Sequence, residues 1–153
     1  MGLDMYLTKK TYVKKWDHIP DEKQYEVNVT RGGQPCPSIK SERISYVEEE
    51  VMYWRKANQI HEWFVKNVQN GQDDCREYEV SKEDLQALLE DCYAVKNDPI
   101  DAPEVLPVSP GFFFGSTDYD QHYFDQINRT IEVLENTIKE WDDESEFYYQ
   151  SSW

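Results

Sequence analysis

Phe124, Ile127, Ile131, Leu134, Ile138 and Trp141 recur at intervals of three, four, three, four and three. That period is one face of an α-helix, and so regular a stripe must be buried along its length against another helix or a sheet. The rest of the chain has to supply that surface. It has few aliphatic residues with which to do so, but it has five Trp, eleven Tyr and six Phe. Each large ring buries roughly 150–250 Å², enough for a core, so residues 1–153 are expected to fold as a single domain.

The sheet is expected from two alternating stretches. Leu3, Met5 and Leu7 alternate with Asp4, Tyr6 and Thr8, and Tyr25, Val27 and Val29 alternate with Glu26, Asn28 and Thr30, which is strand period. With the turn-like segment 17–22 between them they predict an N-terminal β-hairpin, followed by a loop at 31–37. The tail 147–153 predicts a last strand and 76–80 a short one. A first helix is predicted from the capping-box pattern Ser45-x-x-Glu48 to a glycine stop at Asn70-Gly71. A second is predicted from Ser81, with Leu85, Leu88, Leu89 and Cys92 on its apolar stripe, and a third from a cap at Thr117 or Asp118. The expected class is α+β: a small, mostly antiparallel sheet, made of the N-terminal hairpin and the C-terminal strand, covered by three helices. Pro99, Pro103, Pro107 and Pro110 mark 97–115 as a long loop, whose Gly-flanked Phe run should dock at least one ring on the domain.

Charge narrows the function. The chain carries 31 Asp plus Glu against 16 Lys plus Arg, a formal net charge of -15. Residues 1–72 hold 10 of those acids and 11 of the bases, and residues 73–153 the other 21 acids and 5 bases, so the excess lies in the second half. Direct binding of nucleic acid or of an anionic membrane requires the opposite sign. No apolar run approaches the roughly 18 residues of a membrane span. Cys36, Cys75 and Cys92 are odd in number and lack CxxC spacing, which argues against a disulfide framework or a zinc ribbon and fits a reducing cytoplasm.

The segments Met1-Gly2-Leu3-Asp4-Met5-Tyr6-Leu7, Tyr53-Trp54-Arg55-Lys56-Ala57-Asn58, Ile60-His61 and Trp63-Phe64, together with 111–117 and the tail 147–153, resemble a family of small phage and prophage-encoded proteins. The resemblance covers most of the chain. It implies a gene of phage origin acting in a bacterial host's cytoplasm on host metabolism or defence, and brings no activity, cofactor or catalytic residue with it.

Two sets of candidate residues follow. On the predicted first helix, Asn58 and His61 interrupt an apolar line one turn after Trp54, with Arg55 on the flank. An amide, an imidazole, an indole and a guanidinium suit a planar, hydrogen-bonding ligand in a concavity closed by Asp4 or by Phe113 of the 111–115 loop. The alternative is that Asn58 and His61 only satisfy buried backbone or carboxylate partners. Asp118, His122 and Asp125 share a spacing of four and three with Asp120 nearby, yet acids belong at a helix start anyway, so no metal site and no cofactor are expected. The second set is acidic: Glu132, Glu135, Glu140, Asp142 and Asp143 fall on or beside the third helix as spaced carboxylates, which either serve solubility as a solvated face or imitate a phosphate backbone. The leading expectation, leaning away from an enzyme, is a phage accessory protein for host takeover or anti-defence, which binds a host protein with a basic surface through its acidic half. A small-ligand protein, either a nucleotide sponge or an enzyme with its pocket on the first helix, is the alternative.

Overall fold

The computed structural model describes residues 2–111 and 113–153. Its organising strand is β1 (Asp4–Tyr12), which pairs antiparallel on both sides: with β4 (Tyr46–Arg55) through Tyr6↔Tyr53, and with β6 (Ser145–Ser152) through Tyr6↔Gln150. The short β5 (Tyr78–Val80) extends the far side of β6, giving the order β4-β1-β6-β5. Between β1 and β4 the chain makes a long, mostly exposed excursion whose only ladder is the two-residue pair β2 (Thr30–Arg31) and β3 (Gln34–Pro35). The helices are α1 (Asn58–Asn67), α2 (Lys82–Asn97), the single turn α3 (Ala102–Val105) and α4 (Gln121–Lys139). The α+β class is therefore as expected.

Strand alternation creates the core. Met5 and Leu7 of β1, Met52 and Trp54 of β4, and Phe147 and Tyr149 of β6 are buried on one sheet face, in one cluster with Ile60 and Phe64 of α1, Leu85 and Leu88 of α2, and Ile127, Ile131 and Leu134 of α4. The stripe of α4 is thus covered as its spacing demands, although the helix ends at Lys139. Trp141 lies beyond it and stacks on Phe147, ring centroids 4.5 Å apart. Among the described residues no helix is long and apolar enough to cross a membrane.

Three expectations are corrected. Residues 46–55 form a strand, not the first half of a helix: Ser45 caps nothing, and its carbonyl accepts from the Val13 amide at 2.8 Å. The run mixes two periods. Met52 and Trp54 are buried while Val51 and Tyr53 before and between them are only half-buried, a period-two pattern that a nine-residue partner in β1 selects. The ladder shifts register between Leu7 and Thr8, a bulge that leaves Val51 unpaired. The partner of β1 is accordingly β4, not residues 25–31, whose Tyr25 and Val29 remain exposed. The cap of α4 also moves: Asp120 Oδ1, not Thr117 or Asp118, accepts the Tyr123 amide at 3.0 Å. At α2 the expected start is observed as a reciprocal capping box, Ser81 Oγ accepting from the Asp84 amide and Asp84 Oδ2 from the Ser81 amide. The predicted strands at 76–80 and 147–153 appear as β5 and β6.

Candidate functional site

His61 is fully buried on α1, between α1, β6 and the 68–76 loop. Its Nε2 lies 2.9 Å from Asp73 Oδ1 and its Nδ1 2.7 Å from the Tyr149 hydroxyl. An ionised carboxylate only accepts, so the proton sits on Nε2, and Nδ1 then accepts from Tyr149. Burial pushes the His61 pKa down, against the opposing pull of Asp73, and pushes that of Tyr149 well up. Both groups are held neutral, in the one tautomer that satisfies the chain. Phe64 stacks on Tyr149 at 3.9 Å, Phe114 and His61 meet at right angles with ring centroids 5.3 Å apart, and Trp153 Nε1 donates to Asp73 Oδ1 at 3.2 Å. A hydroxyl so enclosed offers a reacting group no access to solvent; the chain fastens the C-terminal strand to α1.

Trp54 is equally enclosed. It is 2% exposed in β4, and its Nε1 donates to Thr130 Oγ1 at 2.9 Å, tying the sheet to α4. Asn58 bonds in three directions: its Nδ2 donates to the Phe114 and Ser116 carbonyls, and its Oδ1 accepts from the Ser109 amide. It thereby pins the 108–116 loop to α1, and Phe114 is the ring of the Phe run that docks in the core. Phe113 is half-buried beside it, its carbonyl accepting from the Leu3 amide, and Phe112 lies outside the described residues. Asp4 and Arg55 are elsewhere, on the opposite sheet face, where Asp4 Oδ1 accepts from the Tyr53 hydroxyl at 2.5 Å and meets Arg55 at 3.5 Å.

Of these six candidates, Asn58 reaches a surface concavity. It lines a cleft of about 200 Å³ between the start of α1 and the start of α4, with Lys56, Gln59, Ser116, Asp118, His122 and Gln126 around it. Among the described residues Trp54, Asn58 and His61 do not line one concavity as expected, because Trp54 belongs to a strand and His61 turns into the core. Among the described residues no group of three or more His, Cys, Asp or Glu is placed to hold a metal. Asp120 caps α4, His122 bonds Gln126 and Asp125 bonds Gln121. Cys92 is buried in the core, and burial pushes its thiol pKa far up.

The acidic set divides. Glu132, Glu135 and Glu140 are exposed on or just after α4, and among the described residues none is in an ion pair. Asp143 is exposed and accepts from Trp141 Nε1 at 2.9 Å. Asp142 is structural: the Glu144 amide and the Ser145 hydroxyl bond its carboxylate, and the amide bond above all lowers its pKa. Within 73–153, Arg76 is the only base paired with an acid among the described residues, through Asp74. Sequence reasoning missed a further acidic region, the uncovered sheet face, because its residues come together only through the β4-β1-β6 pairing. The signal was the Glu48-Glu49-Glu50 run, which a helical reading placed elsewhere. The chain matches no known family model, no curated protein and no solved structure.

Proposed function

We propose that this chain is a non-enzymatic accessory protein of phage origin that binds a basic surface of a host protein through its acidic C-terminal half, in host takeover or anti-defence in the bacterial cytoplasm. The observation that carries this reading is the uncompensated charge of residues 73–153, where exposed carboxylates such as Glu132, Glu135 and Glu140 stand without an ion-pair partner among the described residues. Spaced carboxylates on a rigid helix offer a nucleic-acid-binding protein the charge it otherwise reads on phosphates. The small-ligand alternative draws only on the cleft beside Asn58, and about 200 Å³ falls short of the roughly 300–1,000 Å³ of a pocket enclosing a nucleotide-sized ligand. Affinity capture from host lysate at low and high salt tests the reading. Screening of exposed charges should strip a specific, basic partner as salt rises; capture that is insensitive to salt, or of no basic protein, defeats it.

A further inference from the structure

The sheet has a second face. Alternation that buries Met5, Leu7, Trp54 and Tyr149 turns Tyr6, Lys10 and Tyr12 of β1, Tyr46 and Tyr53 of β4, and Tyr148 of β6 the other way, where among the described residues no helix covers them. Tyr46 is 57% and Tyr12 41% exposed, their rings 5.1 Å apart. Tyrosine buries large area at little entropic cost, and surfaces dense in it are those proteins use for binding. Between Lys10, Tyr46, Glu48, Glu146 and Tyr148 lies a groove of about 340 Å³. Its chemistry is already demonstrated intramolecularly: the Lys10 ammonium lies 4.7 Å from the Tyr148 ring centroid and 2.7 Å from Glu77 Oε1. That one cation faces the carboxylates of Glu48, Glu77 and Glu146, so the groove keeps an excess of negative charge.

The same groove borders a free edge. β4 is the outer strand of the sheet, and among the described residues no other backbone pairs with its outer side. An unpaired ten-residue edge is a template for a further strand. A second copy is a poor occupant, because it carries the same net charge of -15 and would bring more acid to an edge that already holds Glu48, Glu49 and Glu50. A basic strand is complementary to them.

We propose that the outer edge of β4 and the Tyr46–Glu48–Glu146–Tyr148 groove form a docking site for an extended, lysine- or arginine-rich segment of a partner protein, added as a further strand beside Tyr46–Glu50. The proposal rests on the partner being basic but assigns the contact to the sheet rather than to α4, so the two stand or fall separately. The probes are two synthetic peptides of about eight residues, a usual strand length: one alternating Arg with Thr, the other of equal charge with prolines at positions that block strand pairing. Binding is measured by calorimetry and by shifts of the 46–50 amides in NMR spectra. The alternating peptide should bind at least about tenfold more tightly than the proline peptide and shift those amides. Tyr46→Ala with Glu48→Gln, both at exposed positions, should reduce its affinity about tenfold while the melting temperature holds. Glu132→Gln with Glu135→Gln and Glu140→Gln should leave it unchanged. Equal binding of both peptides, or loss confined to the α4 variant, overturns the docking site and leaves the basic-partner reading standing. Failure of both peptides to bind overturns the docking site alone, because the basic-partner reading is decided by the salt-dependent capture.

Discussion

At the scale of single residues the molecule is governed by polar groups that had to be satisfied once buried. Trp54 and Asn58 each bind two elements together, and the Asp73–His61–Tyr149 chain binds three. His61 carries a testable pH signature. Burial lowers its folded pKa below the unfolded value of about 6.5, so the unfolded chain takes up more protons in the interval between the two. Stability from this group is therefore complete above about pH 6.5 and declines as the pH falls through that interval. His61→Gln, which does not titrate, should cost on the order of 1–3 kcal/mol at about pH 7.5 by leaving the Tyr149 hydroxyl poorly paired. The gap in melting temperature between wild type and variant should narrow on going to about pH 5, because only the wild type meets the proton penalty. A gap that stays constant across that range refutes the neutral-imidazole assignment.

At the scale of elements, what matters is where the chain turns from strand to helix. Lys56, between β4 and α1, is left-handed with φ 55°, and its Cβ lies 3.0 Å from where a Cβ on Gly115 would stand. Gly115 itself has φ 87°. Gly115→Ala thus meets both backbone strain and a clash with Lys56, whereas Gly71→Ala, at φ 78° with nothing within 4 Å, meets the backbone strain alone. Urea titration should place the Gly71 variant about 1 kcal/mol below wild type and the Gly115 variant further below. Equal losses would show that the 108–116 loop yields freely and does not hold the floor of the cleft. The same junction explains the misread helix. Ser45-x-x-Glu48 and Asn70-Gly71 are sound end signals, and Asn70 and Gly71 do close the turn after α1 with φ 55° and 78°, but nothing in the run between them marks the change of period at Lys56.

At the scale of the whole molecule, charge is the dominant property. The acids of 140–146 include no base, and like charges so close oppose the folded state. Replacing Glu132, Glu135 and Glu140 with Gln leaves the buried Ile127, Ile131 and Leu134 untouched. The triple variant should melt at or slightly above the wild-type temperature, since exposed substitutions usually change stability by no more than about 0.5 kcal/mol each. If α4 contributes to recognition, the variant should capture the basic partner more slowly at about 0.05 M salt. The difference should fade near 0.5 M, where the screening length has shrunk to a few ångströms. Association at the wild-type rate at every salt concentration would assign the acidity of α4 to solubility alone.

The α+β class, the start of α2 at Ser81, the buried stripe of α4, the last strand and the concentration of acid in residues 73–153 are legible in the chain, because each is written in neighbouring residues as a period, a cap or a count. Tertiary structure alone decided that β1 pairs with β4, that Trp54 and His61 face the core while Asp4 and Arg55 lie across the sheet, and that five tyrosines share one uncovered face. The physical reason is that strand pairing joins residues distant in the chain. Tyr46–Arg55 satisfies a helical pattern as well as an extended one, and the choice falls to the backbone hydrogen bonds and apolar burial that β1 offers along its full length.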